Sequence, residues 1–165
     1  MSEICYEPIG LLHTPFSEPS GAPIQPCGAG DARGRAELRP ELVPALEDLA
    51  GFSHVILLYH CHRAAAFKLK VRPFLDHNEH GLFATRAPAR PNAIGLSVVK
   101  LEAVEGNLLH LKGVDMLDQS PLLDVKPYVP QFDAPPGPLR TGWLADKARE
   151  ASTQKADERF SPEIS

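Results

Sequence analysis

The stretch IGLSVVKLEAVEGNLLHLKGV, residues 94–114, contains two runs of aliphatic residues separated by the turn segment Glu105–Asn107. Short runs rich in Val, Ile and Leu are typical of β-strands, and a Gly-Asn pair between two of them favours a tight antiparallel hairpin. We therefore predict one strand from Ile94 to Val104 and a second from Leu108 to Val114. The rest of the fold is expected to be built around this hairpin.

The remaining apolar segments are equally short. The chain has 17 prolines and 12 glycines, which favours turns over long helices. A Pro- and Gly-rich loop is predicted from Pro15 to Arg35. Further strands are predicted at Ile9–Leu12, Phe52–His62, Leu82–Thr85 and Leu122–Val125. Many short strands joined by long loops indicate a mainly β protein, a closed or nearly closed antiparallel β-barrel with a few short helices.

One short helix is predicted to begin at Pro40 and to end at Gly51. Its leucines have the spacing of a single buried face, and they are Leu42, Leu46 and Leu49.

The C-terminal part is predicted to contain a helix over Leu144–Ser152, after which about ten polar residues are expected to be frayed. Two regions result, a barrel domain over residues 1–140 and a helix with a polar tail over residues 141–165.

Composition narrows the function classes. The formal net charge of -4 gives no basic field over the whole surface, so a polyanionic partner must be held by a local basic patch. No segment approaches the roughly 20 apolar residues of a membrane helix, and the N-terminus does not resemble a signal peptide. The thiols of Cys5, Cys27 and Cys61 are odd in number and scattered, as expected of a reduced, cytoplasmic protein.

Two patterns suggest cofactor sites that the spacing does not support. The glycines of GAGDARG, residues 28–34, follow PIQPC and not a buried strand, so they do not form a dinucleotide-binding loop. Alternation along the strand places three histidines on one face, opposite Cys61, and these are His54, His60 and His62. Neither CxxC nor HExxH accompanies them, so we favour pocket-lining or hydrogen-bonded histidines and predict no metal.

The segment from Gly81 to Tyr128 carries polar residues that are unusual for a purely structural region. Prolines stiffen the backbone around Arg86 and Arg90. Gly95 interrupts a good strand, as glycine does where a ligand or another backbone approaches closely. Three aspartates then fall close together, at positions 115, 118 and 124. Composition alone does not decide whether these polar residues bind a ligand or form salt bridges on the surface. The catalytic candidates from this segment are Arg86, Arg90, Asn92 and Tyr128.

The motifs resemble those of the TsaA-like family, also called the TrmO or YaeB family, in the same order and over roughly residues 8–133. They are IGLLHTPF, PIQP, AELRPEL, GFSHVILLYHCHR, ATRAPARPNAIGLS and DMLDQSPLLDVKPY. The resemblance implies a single-sheeted antiparallel barrel, a homodimer, and a cofactor pocket near the subunit interface. It also implies an S-adenosylmethionine-dependent methyltransferase that acts on the exocyclic N6 of threonylcarbamoyladenosine in the tRNA anticodon loop.

Carried over by position, the resemblance implies contacts to S-adenosylmethionine from Pro23, Ile24, Gln25, His62, Arg63, Arg86, Leu96, Met116, Leu117, Asp118 and Gln119. The chain departs from the family pattern where Ala87 replaces serine, where Ala93 replaces proline, and where Gln119-Ser120 replaces Gly-Thr.

Methyl transfer from a sulfonium needs alignment rather than a metal or a covalent nucleophile. Asp118 is expected to bind the donor's ribose or amino group, and Arg86 or Arg90 the threonyl carboxylate. The base remains open between a histidine, a carboxylate and the substrate's own carboxylate. A phosphate-tracking patch is expected from Arg63, Lys68, Lys70, Arg72, Arg90 and Lys126. The alternatives are a non-catalytic barrel that binds S-adenosylmethionine or another small molecule, and a metal-dependent hydrolase that uses the histidines.

Overall fold

The computed structural model describes residues 2–162. The strands in this range are β1 (Gly10–His13), β2 (Arg33–Leu38), β3 (His54–His60), β4 (Lys70–Val71), β5 (His80–Gly81), β6 (Ile94–Glu105), β7 (Leu108–Lys112) and β8 (Ser120–Pro127). The helices are a single-turn α-helix, α1 (Pro130–Asp133), and 3-10 helices at Pro26–Gly28, Pro40–Leu46, Leu49–Gly51, Leu82–Ala84, Gly142–Leu144, Ala148–Ser152 and Glu158–Phe160. No helix in the described part of the chain is long and apolar enough to cross a membrane.

Six strands close into one barrel in the order β1-β2-β7-β6-β3-β8, and all their pairings are antiparallel. The predicted single-sheeted antiparallel barrel is therefore confirmed. The predicted hairpin is β6–β7, with Gly106 at a φ of 58° in its turn, a conformation that glycine adopts without strain. Strands β4 and β5 form a separate two-stranded ribbon.

The barrel interior is filled by side chains that alternate along each strand. On β3, Val55, Leu57 and Tyr59 point inward and are at most 9% exposed, while the residues between them point outward. Leucines from the other strands complete the core, and each such burial contributes about 1.5–3 kcal/mol. Because this small barrel has a packed interior, a ligand must bind at a barrel mouth or on the outer surface.

The predicted loop Pro15–Arg35 was too long, because the structure contains a strand, β2, that begins at Arg33. Its inward residues are only Ala36 and Leu38, so the apolar alternation is weak in the sequence. Gly34 packs so tightly that a Cβ there would lie 2.7 Å from the carbonyl oxygen of His13. The glycine therefore permits strand packing in a stretch that looks like a loop by composition.

Two other predicted elements differ. The segment Leu82–Thr85 is a 3-10 turn and not a strand, with Leu82 buried in a small second cluster. The predicted helix over Pro40–Gly51 is split into two 3-10 helices, because Asp48 adopts a left-handed φ of 65° between them. Of the three predicted buried leucines, only Leu46 is buried.

The C-terminal prediction was also wrong in form. In place of a helix over Leu144–Ser152, the chain forms the two short 3-10 helices Gly142–Leu144 and Ala148–Ser152. The polar end is not frayed as far as residue 162, since the Phe160 ring packs edge-on against Phe74 with 5.2 Å between ring centroids. The last three residues, 163–165, lie outside the described residues.

Candidate functional site

The topology gathers three loops at one end of the barrel, which we call the loop-rich mouth. Strands β1, β3 and β7 end there and β2, β6 and β8 begin there, so the mouth carries the loops 14–32, 61–93 and 113–119. Ten of the eleven predicted cofactor-binding residues lie on these loops, and Leu96 lies on β6. Segments far apart in sequence are thus brought to one edge of the sheet.

Two of the loops are joined directly by a side-chain hydrogen bond. Arg86 Nη1 donates to Gln25 Oε1 at 2.8 Å, across 61 residues of sequence. On the same loop as Gln25, Pro23 is buried and Ile24 is half-buried. The pair places a guanidinium and an amide side by side at the mouth, where both can contact a polar ligand.

Asp118 is fixed by bonds to the first loop. Its carboxylate accepts a hydrogen bond from the Thr14 backbone N–H at 3.0 Å, and its own backbone N–H donates to the Phe16 carbonyl at 2.8 Å. The Thr14 hydroxyl also donates to the Met116 carbonyl at 2.8 Å. Thr14 was not among the predicted residues, although its place directly after a strand is a position where binding-site residues often occur.

Gln119 adopts a left-handed φ of 61°, which explains why the resembled family has glycine at this position. Its amide donates to His13 Nδ1 at 3.0 Å and lies 3.4 Å from Asp118 Oδ2. This chain therefore accepts a strained backbone and adds a side chain beside the Asp118 carboxylate.

A neutral imidazole and a guanidinium follow the end of β3 at this mouth. His62 Nδ1 lies 3.4 Å from the Ser120 hydroxyl, which donates to the Leu117 carbonyl. Burial lowers the pKa of His62, and the nearby charges of Arg63 and His60 lower it further, so the ring is neutral near pH 7. Arg63 is held by Glu18, with 2.9 Å between nitrogen and oxygen.

A buried polar chain reaches the mouth from inside the barrel. The Tyr59 hydroxyl lies 3.2 Å from Ser97 Oγ, and Ser97 donates to Asp115 Oδ1 at 2.6 Å. Burial raises the pKa of Asp115 to about 6, while the bond from Ser97 and the charge of Arg86 oppose this rise. Gly95 was predicted to allow close approach of a ligand or another backbone, but the group that approaches it is a side chain, since a Cβ there would lie 2.9 Å from the Tyr59 hydroxyl.

Arg90 is held within the loop 61–93 and lies near the Cys61 thiol. Its guanidinium donates to the Thr85 carbonyl at 2.9 Å and stands 5.6 Å from the centroid of the exposed Phe83 ring. Burial and the charge of Asp115 raise the pKa of the Cys61 thiol to about 11, with Arg90 opposing, so the thiol is protonated and is not a nucleophile near neutral pH. Asn92 is exposed on the same loop.

Three of the predicted residues do not join this cluster through their side chains. Tyr128 lies at the other end of the barrel, where its ring packs edge-on against His54 at 6.5 Å. Leu96 is on the outer face of β6, opposite Leu58, and is 51% exposed. Met116 is 2% exposed and belongs to the hydrophobic core, so it offers only backbone atoms to the mouth.

The expected basic patch is divided. Lys126 is on the outer barrel wall, paired with Asp124 at 2.7 Å. Lys68, Lys70 and Arg72 lie at and beside β4, within the loop 61–93. They line an open cavity of about 1260 Å³ together with residues near the C-terminus. Within residues 2–162, no group of three potential metal ligands comes together.

The sequence is similar to a family of tRNA methyltransferases and to proteins named for binding S-adenosylmethionine. The family model of the tRNA-methyltransferase O N-terminal domain matches residues 11–134. A probable S-adenosyl-L-methionine-binding protein of Pyrococcus abyssi is 50% identical over 157 residues, which cover 95% of this chain and 85% of the relative. The mouse tRNA (adenine(37)-N6)-methyltransferase is 42% identical over 136 residues, which cover 78% of this chain and 32% of the relative.

Among solved structures, the crystal structure of TrmO from Pseudomonas aeruginosa matches with a TM-score of 0.74 and 44% sequence identity. The match covers 88% of this chain and 64% of the Pseudomonas chain. This chain therefore spans less than two thirds of that protein and about a third of the mouse enzyme.

Proposed function

The chain belongs to the family defined by the N-terminal domain of tRNA-methyltransferase O, and we propose that it transfers a methyl group from S-adenosylmethionine to an adenine base of tRNA. The observation that carries the proposal is the convergence of three loops at one mouth, where Arg86 bonds Gln25 and the Thr14 amide holds Asp118. One similar protein is named as a probable S-adenosyl-L-methionine-binding protein and another as a tRNA (adenine(37)-N6)-methyltransferase, and both names support the same activity.

The polar groups at the mouth fit this donor. When bound, S-adenosylmethionine supplies an activated methyl group on a sulfonium, so the protein's task is alignment. The donor presents ribose hydroxyls and an ammonium group, and both form charge-assisted hydrogen bonds with a fixed carboxylate such as that of Asp118. Gln25 and Arg86, which are hydrogen-bonded to each other, offer an amide and a guanidinium on two loops of the same mouth. These three residues would hold the donor.

The acceptor is proposed to be the N6 of threonylcarbamoyladenosine in the anticodon loop. This base lies in a single-stranded loop, so it can enter a pocket without duplex opening. Its threonyl carboxylate needs a cation, and Arg86 and Arg90 both lie on the loop 61–93. Its urea-type nitrogen is a weak nucleophile until the proton leaves. Asp115, with a pKa of about 6, is largely ionised at pH 7 and is a suitable proton acceptor, as is neutral His62.

A homodimer is part of the proposal, because an apolar strip lies on the outer wall beside the mouth. Ile94 and Leu96 of β6 are 42% and 51% exposed, next to Leu58 of β3. A two-fold interface would set this strip against its own copy and would bring Leu96 to the mouth of the partner subunit. Light scattering over a dilution series, with activity measured per chain, tests this. A monomer with full specific activity would refute the need for the dimer.

The test of the activity is a transfer assay. The purified full chain is incubated with isotopically labelled S-adenosylmethionine and with two tRNA preparations, one bearing threonylcarbamoyladenosine and one lacking it. Mass spectrometry of digested nucleosides should detect the methylated product only from the first, in keeping with a cytoplasmic enzyme of tRNA maturation. Product from both preparations would refute the proposed substrate, and donor binding without any product would favour a non-catalytic binding barrel.

A further inference from the structure

The end of the chain, residues 141–162, packs across the loops of the mouth, and we call it the C-terminal strap. Its first anchor is the loop that carries Pro23 and Gln25. Pro23 forms an antiparallel bridge with Lys155, and Lys155 Nζ donates to the Gly28 carbonyl at 2.8 Å. Gly28 is so close to the strap that a Cβ there would lie 2.6 Å from the Ala151 carbonyl oxygen.

The second anchor is the segment that leads to Arg86. The Trp143 indole N–H donates to the Ala84 carbonyl at 2.8 Å, two residues before Arg86. The Trp143 ring also stacks on His80, with 4.4 Å between centroids and an angle of 20° between planes. The backbone that presents Arg86 is thus held from the outside by the strap.

A buried ion pair strengthens this second anchor. The carboxylate of Asp76, which is 9% exposed, receives Lys147 Nζ at 2.8 Å and His80 Nε2 at 3.0 Å. The bonds from Lys147 and His80, with further help from the Asn78 backbone, hold the pKa of Asp76 well below its usual range. Lys147 therefore supplies a charge partner from the strap to a carboxylate of the loop 61–93.

A third anchor fixes the far end. Arg159 Nη1 donates to the Pro73 carbonyl at 2.8 Å, and its guanidinium lies 5.0 Å from the centroid of the Phe74 ring. The Phe160 carbonyl accepts the backbone N–H of Ala65 at 3.0 Å. The strap thus contacts the loops 14–32 and 61–93 along its length. Among the described residues, none from the strap belongs to the hydrophobic core of the barrel.

We propose that the C-terminal strap is a positioning element of the donor site, which clamps the Gln25 loop to the Arg86 loop. The family match ends at residue 134, so the strap lies outside the matched domain. The inference rests on the proposed function, since it assumes that these loops bind S-adenosylmethionine. Binding that draws the two loops together is coupled to strap docking, and such coupling is reciprocal.

The test uses the full chain with a wedge in the strap. Ala151 is 5% exposed and its backbone carbonyl lies against Gly28, so Ala151→Arg forces a long charged side chain into a buried position of the docked strap and displaces the strap. Trp143 is the single tryptophan of the chain, so its emission reports strap docking directly. The matched control is Arg149→Ala, an exposed strap residue whose side chain makes no hydrogen bond or ion pair among residues 2–162.

The expected result is a red-shifted Trp143 emission, an unchanged barrel by far-UV circular dichroism, and a donor Kd and KM raised about tenfold, with kcat at saturating donor within about twofold. Arg149→Ala should match the wild type in every measurement. If Ala151→Arg fails to fold, Lys155→Ala removes one anchor bond and should raise Kd about threefold.

An unchanged Kd in a folded variant with a displaced strap overturns the inference while leaving the proposed function intact. For Lys155→Ala, an unchanged Kd likewise overturns it. A wild-type chain that binds no donor refutes the proposed donor site itself, which is a separate outcome.

Discussion

Replacing Gly95 by alanine should disturb both the core and the candidate site. A Cβ at this position would meet the ring of Tyr59, which faces it across the β3–β6 pair and is buried. Overpacking of this kind costs about 1–3 kcal/mol. For a chain of this size that corresponds to a fall in Tm of about 2–12 °C. Because the Tyr59 hydroxyl lies next to Ser97, methyl transfer should fall as well.

Urea denaturation and thermal melting measure the loss for Gly95→Ala. The matched control is Gly51→Ala, since a Cβ on Gly51 meets nothing within 4 Å and stability should stay within about 0.5 kcal/mol. Tyr59→Leu makes room for the new methyl group, so the double variant should lose less than the sum of the two single losses by about 0.5–3 kcal/mol. A Gly95→Ala variant as stable as the wild type, or strictly additive losses, would show that the Tyr59 ring does not restrict the space at position 95.

Three further predictions concern the mouth. Arg86→Ala should leave the free energy of unfolding within about 0.5 kcal/mol of wild type but weaken donor binding about tenfold or more by calorimetry; unchanged binding would contradict its role. Asp115→Asn should become more stable relative to the wild type as pH rises from about 4 to about 6, because ionising the buried Asp115 carboxylate costs the wild type folding free energy in that window. Urea denaturation should show a gain on the order of 2–3 kcal/mol. A stability difference that does not change with pH would show that Asp115 does not have a raised pKa. Gln119→Gly should stabilise the chain by about 1 kcal/mol, because it relieves a left-handed backbone, and a lower Tm would show that the side-chain bonds of Gln119 dominate.

The barrel was accessible from the sequence because its decisive signals are local. The β6–β7 hairpin combines two aliphatic runs with a Gly-Asn turn, and the resemblance implies a single-sheeted antiparallel barrel for the remaining strands. Strand β2 was not predicted because only two of its side chains enter the core, so its sequence shows little apolar alternation. The left-handed conformation of Asp48 has no local signature that would have divided the predicted helix.

The grouping of the candidate residues at one mouth could be predicted from the sequence only in part. The motifs identify residues on the three loops, but their partners depend on contacts between distant segments. Asp115 was visible as one of three close aspartates, yet its raised pKa depends on burial beside Ser97, which belongs to another strand. The bond from Trp143 to Ala84 spans 59 residues, so a polar tail could not be recognised as a strap from composition.

Methylation of a tRNA base by this chain can be tested in cells. The most direct measurement is nucleoside analysis, by mass spectrometry, of total tRNA from cells that lack the gene and from the same cells complemented with it. We expect the N6-methylated form of threonylcarbamoyladenosine to disappear in the deletion strain and its unmethylated precursor to accumulate. The wild-type gene, but not the Arg86→Ala variant, should restore the methyl group. An identical nucleoside profile with and without the gene would show that this chain does not methylate that base.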